Sequence, residues 1–328
     1  MCGIAGWVDC RRLCDSTAIM RRMAHTMIPR GPDSGGFYTD DNCALAHRRL
    51  SVIDPAGGAQ PMTRKTAVDS FTIVYNGELY NTAEIRSDLE SAGVTFTTAS
   101  DTEVLLNAYI TWGEACLDKL NGIYAFAVWQ EKEKQLFLAR DRIGVKPLFY
   151  YEYAGGIIFA SEIKTLLAHP MIEPVIDRDG IAQIMLLGPA RKPGSGVFKG
   201  IRELRPAECA MYCRCGLRKR TYWSLHALPH KESEQETEQH IAYLLTDAIK
   251  RQLVSDVPLC TMLSGGLDSS IISAVAAKEF EQNGRQLTTY SIDYKDNDKN
   301  FHSSKFQPDM DAPWIRKMSA FIGSKHIN

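Results

Sequence analysis

The sequence predicts an α+β N-terminal domain followed by the beginning of an α/β domain built on a parallel sheet. Three observations carry this. From residue 1 to about 205, short apolar strands alternate with turn residues and a few amphipathic helices, the pattern of antiparallel sheet with helices packed on it. Between Pro189 and Trp223 the chain is rich in Gly, Pro, Arg and Lys, and 231–239 is charged and polar. Beyond it a helix, a strand, a glycine turn, a second helix and a second strand follow, which is a β-α-β unit. The expected organisation is therefore 1–205, a linker over 206–235, and a second domain over 236–328.

In chain order, Ile19, Met20, Met23 and Met27 share one helical face that ends before Pro29. Phe71–Tyr75 is a β-branched and aromatic run ending in Asn76-Gly77, a strong turn signal. Asn81 with Glu84 predicts an N-cap, Ile85 and Leu89 an apolar stripe, and Gly93 a helix end. Ser100 with Glu103 predicts a capping box before Val104, Leu105 and Ala108. Two hairpins follow, Phe126–Trp129 with Leu136–Ala139 and Leu148–Tyr151 with Ile157–Ala160. The second domain opens with a helix over His240–Leu253, then a buried strand at Leu259–Leu263. A helix from Ser269 to about Glu281, a strand at Thr288–Ile292 and a helix over Trp314–Phe321 complete the pattern.

Composition excludes several function classes. Hydrophobic residues make 45% and charged residues 23%, the balance of a globular protein. Lys plus Arg number 38 against 39 for Asp plus Glu, so no global field attracts nucleic acid or an anionic membrane. The longest apolar run is strand-sized and no secretory leader is visible, so the expected location is cytoplasmic. Nine cysteines at irregular spacing fit reduced thiols better than a disulfide framework. Cys209, Cys213 and Cys215 cluster, but three thiolates without a fourth ligand make a poor zinc site.

Cys2 follows only the initiator methionine. Once Met1 is removed, one residue carries a nucleophilic thiol and an α-amine whose ordinary pKa, near 7.7–8.0, suits a general base. Taken alone, Cys2 could equally be a small apolar residue opening a strand.

The motifs around it resolve that choice. MCGIAG at 1–6, RGPD at 30–33, AHRRLSVID at 46–54, YNGELYN at 75–81 and SDTE at 100–103 occur in that order, with GVKPL at 144–148 and ASEIK at 160–164 after them. In this the chain resembles the glutamine-hydrolysing asparagine synthetase family. The resemblance implies an N-terminal-nucleophile (Ntn) hydrolase domain, a four-layer αββα sandwich acting as a class II glutaminase, and then an ATP-pyrophosphatase synthetase domain. By the same resemblance Cys2 is the nucleophile, and Asn76 and Gly77 form the oxyanion hole. Arg49 grips the glutamine carboxylate, Glu78 and Asp101 surround its ammonium, and Leu50, Ser51, Val52 and Ile53 complete the pocket.

Ser264-Gly-Gly-Leu-Asp-Ser-Ser270 lies between a strand and a helix, where exposed N–H groups and the helix dipole suit an anion; it lacks the lysine of a Walker A loop. It resembles the pyrophosphate loop of ATP-pyrophosphatases. The resemblance places ATP on Met262, Ser264, Gly265, Gly266, Leu267, Asp268, Ser269, Ser270 and Ile292, with Asp268 helping to hold Mg²⁺, and implies no prosthetic group. It implies that aspartate is activated as β-aspartyl-AMP, and that ammonia travelling inside the protein converts it to asparagine, with AMP and pyrophosphate leaving. It also implies a homodimer, while the near-neutral charge gives the expectation of no nucleic-acid or membrane partner. The family's later acidic residues and catalytic lysine are not found before Asn328, so the expectation is an intact glutaminase with an incomplete synthetase domain. Two alternatives stay open: a related amidotransferase acting on another carboxylate of an antibiotic or cell-surface sugar pathway, and a non-catalytic regulatory relic.

Overall fold

Central strands buried on both faces, whose successive side chains enter two different cores, assign the layers of the N-terminal unit. The computed structural model describes residues 1–11, 16–305 and 309–328, and these divide into two units, Met1–Ala227 and Leu228–Asn328. In the first, β1 (Gly3–Asp9), β2 (Ser34–Thr39), β3 (Cys43–Arg49), β8 (Phe149–Tyr153), β9 (Gly156–Ala160) and β10 (Ile201–Glu203) form one antiparallel sheet, ordered β10-β8-β9-β1-β3-β2. A second antiparallel sheet is ordered β12-β11-β7-β6-β5-β4, from β4 (Met62–Lys65), β5 (Ser70–Leu79), β6 (Gly122–Gln130), β7 (Gln135–Arg140), β11 (Glu208–Cys213) and β12 (Gly216–Thr221).

Successive side chains of a strand point to opposite faces. Ile4 and Val8 of β1, Leu45 of β3 and Phe159 of β9 therefore meet Val74 of β5, Ala127 and Trp129 of β6 and Leu138 of β7 between the sheets. Their neighbours in sequence face outward. Ala5, Trp7 and Ile158 pack under α1 (Ser16–Thr26) and α5 (Ile163–Leu167). Tyr75, Phe126 and Phe137 pack under α2 (Thr82–Ser91), α3 (Asp101–Trp112) and the short α4 (Cys116–Lys119). The result is α, β, β, α in four layers, with α6 (Arg178–Leu187) on the segment before β10.

Four local expectations gave way to tertiary pairing. Asn76-Gly77 is not a turn: β5 runs through it to Leu79, with Asn76 opposite Ala125 and Gly77 opposite Tyr124. Asn81 does not cap α2; its amide bridges to Lys119 O at 2.9 Å and accepts from Asn121 N, tying the helix entry to β6. Ser100 caps α3 through Thr102 N, but Glu103 turns away from the box to accept from Thr97 and Thr98, closing the preceding loop. The stretch 206–235, read as a linker, contains β11 and β12. Through the pairing of β11 with β7 these complete the second sheet, so the first unit runs to Ala227.

In the second unit α7 (Glu234–Arg251) starts six residues earlier than the His240 expected, at a Ser233–Glu236 capping box the sequence reading passed over. β13 (Cys260–Met262), α8 (Leu267–Gln282) and β14 (Thr288–Tyr290) form the parallel β-α-β unit. α9 (Asn297–Asn300), α10 (Asp311–Ile322) and β15 (Lys325–Ile327) follow, and β15 adds a third parallel strand beside β14, not foreseen from three residues. β13 is less buried than expected, since Cys260 and Met262 face solvent. Among the described residues of this unit, the buried hydrophobic side chains that cluster are Ala276, Phe280 and Leu287, while Ile271 and Ile272 of α8 are exposed. At ~1.5–3 kcal/mol per large side chain this core contributes far less than that of the first unit. Among the described residues, no helix is long and apolar enough to cross a membrane.

Candidate active site

Cys2 immediately precedes β1, the strand that lies between β9 and β3. The antiparallel register sets Gly3 opposite Arg48, so Cys2 meets the chain leaving β3: Leu50 N donates to Sγ at 3.4 Å, and Sγ lies 3.6 Å from Leu50 O. Arg30 Nε donates to Cys2 O at 2.9 Å, and Arg30 Nη2 is buried with no partner. The adjoining cleft has a cavity of about 100 Å³. It draws on both sheets, with Cys2, Arg49 and Leu50 from one and Tyr75–Glu78 from the other, closed by Asp101 at the start of α3.

On β5, alternation turns Asn76 toward the space between the sheets, on the same side as Val74. Asn76 is 1% exposed, yet its Nδ2 has no hydrogen-bond partner. A buried amide donor without a partner costs ~1–3 kcal/mol, so it is the group in the cleft most in need of a ligand. Gly77 is required beside it, because a Cβ there would lie 2.3 Å from Ile123 O and 2.8 Å from Tyr124 Cα.

Arg49 is buried and does more than face the cleft. Nη1 donates to Pro55 O at 2.8 Å, and Nη2 to Ile53 O and Asp54 O at 2.9 and 2.7 Å, so the guanidinium folds the loop after β3 around itself. Gly58 leaves room for this, since its Cβ would sit 2.2 Å from Nη2. Asp101 accepts from Tyr75 Oη at 2.9 Å and Leu79 N at 3.4 Å. Burial first, then the charge of Glu78, raises its pKa to about 6 against these hydrogen bonds. Burial likewise raises the Cys2 thiol, opposed by the Leu50 hydrogen bond and the Arg49 charge.

Of the residues expected at this site, Cys2, Arg49, Leu50, Val52, Ile53, Asn76, Gly77, Glu78 and Asp101 line one cleft; Ser51 does not, and its N–H goes to the Asp33 carboxylate at 2.8 Å. Gln60, Tyr75, Thr102 and Lys146 also line it and were not singled out. For Lys146 the available signal was its place inside the quoted 144–148 motif. A thiol, an unpaired amide donor, a guanidinium and two carboxylates converge here, a set suited to a small molecule carrying a carboxylate, an ammonium and a carbonyl.

The second set lies in the other unit. Gly265 takes φ +78° and Gly266 caps α8, with Ser264 Oγ 3.0 Å from Ser269 Oγ, and Ser270 Oγ donating to Gly266 O at 2.7 Å. Leu267 and Asp268 form the exposed first turn of α8; Met262 and Ile292 sit solvent-exposed, at the end of β13 and two residues beyond β14. Only Ile292 of these lines the 310 Å³ cavity beyond β14 and β15, with Arg316 and His326. Among the described residues no three His, Cys, Asp or Glu side chains converge on a metal position. Cys209, Cys213 and Cys215 belong to the β11–β12 hairpin, Cys209 facing the helices and Cys215 N donating to Cys213 Sγ; Cys14 lies outside the described residues.

Residues 1–223 match the family model described as a glutamine amidotransferase domain, and residues 240–328 that described as asparagine synthase. Asparagine synthetase [glutamine-hydrolyzing] 3 of Bacillus subtilis is 50% identical over 328 residues, covering 99% of this chain and 53% of that protein. Its number 1 counterpart in the same organism is 34% identical (90% and 46% covered), and number 3 of Arabidopsis thaliana 30% identical (99% and 50%). The chain thus spans about half the length of the curated relatives it matches. Among solved structures, B. subtilis glutamine phosphoribosylpyrophosphate amidotransferase in complex with ADP and GMP aligns with a TM-score of 0.50 and 17% identity, over 93% of this chain and 69% of that one. An allosteric regulatory enzyme of purine biosynthesis aligns with a TM-score of 0.52 and 15% identity, over 99% and 89%. These two speak to the fold alone.

Proposed function

Because this chain belongs to the glutamine amidotransferase domain family and continues into the start of an asparagine synthase domain, we propose that its first unit hydrolyses glutamine at Cys2. The observation that carries the reading is the unpaired Asn76 amide, buried in the same cleft as the thiol. After removal of Met1, the α-amine of Cys2 takes the thiol proton as Sγ attacks the carboxamide carbon. Asn76 Nδ2 and Gly77 N–H receive the developing oxyanion, the protonated α-amine passes its proton to the carboxamide nitrogen as the C–N bond breaks and ammonia leaves, and water, giving a proton to the same amine, cleaves the thioester to glutamate and restores the thiol. Arg49 binds the substrate carboxylate, while Glu78 and Asp101 bind its ammonium.

The ammonia is the nitrogen source for the asparagine synthase part. There the Ser264–Ser270 loop binds the phosphates of ATP at the start of α8, with Met262 and Ile292 near the adenosine. A magnesium ion takes one or two carboxylates besides phosphate oxygens and water, so the single exposed Asp268 carboxylate fits that role. The ion offsets phosphate charge. The products are asparagine, AMP and pyrophosphate, with aspartate the acceptor.

Intact mass of the purified chain together with glutamate release tests the core of this reading. The expected chain begins at Cys2 and releases glutamate, and Cys2→Ala abolishes release while still binding glutamine, because the charged groups of the pocket remain. Release at the parental rate by Cys2→Ala would falsify the nucleophile assignment.

A further inference from the structure

Lys146 is the basic group of the glutaminase cleft to which neither the motifs nor the proposed chemistry gives a task. It is 6% exposed, lines the cleft with Met1, Cys2 and Glu78, and its ammonium closes no ion pair among the described residues. Burial disfavours its charged form.

The loop is built to keep it there. Val145 N and Lys146 N both donate to the Asp141 carboxylate at 2.9 Å. Arg140 reaches back to Lys146 O at 2.7 Å and Gly144 O at 2.9 Å, and is itself fixed by Leu204 O and an ion pair to Glu203. Leu148, two residues on, is fully buried between the sheets. The carboxylate and the guanidinium thus fix the backbone from which the Lys146 side chain enters the cleft.

We infer that Lys146 is a positioning residue for the glutaminase: its ammonium, held beside the N-terminus, keeps the α-amine of Cys2 in the free-base form that accepts the thiol proton. The inference rests on the proposed hydrolysis at Cys2. The α-amine of Met1, one residue before, shows the environment at this end of the cleft: burial first holds it below its ordinary value, Arg30 from the turn after α1 and Lys146 act in the same direction, and the Cys2 thiolate and Asp33 oppose them. Around Lys146 itself stand Glu78 of β5, Cys2, Arg30 and Asp141; burial outweighs the acidic groups and lowers its pKa. A cation beside an amine disfavours its protonated form, so Lys146 acts in the direction that leaves the amine free to accept a proton.

The test is the pH dependence of kcat/KM for glutamine hydrolysis by the processed full chain, compared with Lys146→Gln and Lys146→Arg. Lys146→Gln should move the acidic limb up by about one pH unit, a roughly tenfold loss on that limb that vanishes near pH 9. Lys146→Arg should retain the parental limb. A uniform loss at every pH, or an unmoved limb, overturns the inference and leaves Lys146 a packing residue. If Lys146→Gln does not fold, the amine is titrated directly by site-resolved, pH-dependent acetylation of Cys2→Ala and of Cys2→Ala with Lys146→Met, where no thiol competes for the label. A higher midpoint in the double variant is expected, and equal midpoints overturn the inference. A parental chain that releases no glutamate would instead count against hydrolysis at Cys2.

Discussion

Removing the Asn76 amide separates function from folding more sharply than any other substitution in the cleft. In the free protein Nδ2 is buried and unpaired, a standing cost of ~1–3 kcal/mol. Asn76→Ala deletes that cost but leaves a small void, and an ordinary point substitution costs about 1 kcal/mol. The two nearly cancel, so the melting temperature should move by no more than about 4 °C, the shift that ~1 kcal/mol produces in a domain of this size. Catalysis has no such offset. Loss of one oxyanion donor lowers kcat by about 10²–10³, or ~2.7–4 kcal/mol, with KM little changed because the donor meets charge only in the transition state. Asn76→Asp keeps the shape and reverses the field, and should be at least as damaging. Steady-state glutamate release and thermal melting of the same preparations decide the matter. A kcat within threefold of the parent, or a fall of more than ~10 °C in melting temperature, would refute the assignment: the first because the oxyanion lies elsewhere, the second because the amide is structural.

Arg49→Ala should raise KM for glutamine by about 2–5 kcal/mol equivalent, more than it lowers kcat; an unchanged KM removes Arg49 from the carboxylate site. Because the same guanidinium holds Ile53, Asp54 and Pro55, limited proteolysis should also open the loop after β3. Asp101, with its pKa raised to about 6, should lose its hold on the substrate ammonium as pH falls below that value, so KM rises there. The Asp101→Asn protein, with a high KM throughout, should lack this dependence. The sign for stability is opposite to that of a salt-bridged carboxylate: the folded state holds the proton to higher pH than the unfolded chain. This contribution is present at low pH and lost as pH rises from about 4 to about 6. Above that range Asp101→Asn should be the more stable protein, and a less stable one would show that hydrogen bonds from Tyr75 and Leu79 outweigh desolvation.

What the sequence made legible depended on whether the signal was carried locally. The apolar runs 126–129 and 136–139, set either side of a polar stretch, read as a hairpin without any knowledge of the opposing sheet, and β6 and β7 pair as one. Asn76-Gly77 has the local chemistry of a turn, yet continuous pairing of β5 with β6 overrides it. The hairpin of β11 and β12 was taken for linker because β12 is an edge strand whose Arg218, Lys219 and Arg220 are exposed. A solvated edge carries the composition of a loop, as edge strands must to avoid pairing with other chains.

The cleft divides along the same line. Cys2, Arg49, Glu78 and Asp101 stand in contiguous motifs, and motif order was enough to nominate them together. Lys146 stands in a motif too, but its burial is a property of Asp141 and Arg140 closing the loop beneath it. Asn76 was nominated by resemblance, whereas the physical reason to single it out, an amide donor with no partner, exists only once β5 and β6 are paired and the second sheet faces the first. Residue type and order thus nominate groups that line one cleft. The groups that pay an energetic cost in the free protein, an unpaired donor and an unpaired cation, become visible only in three dimensions, and they are where substitution should separate catalysis from stability.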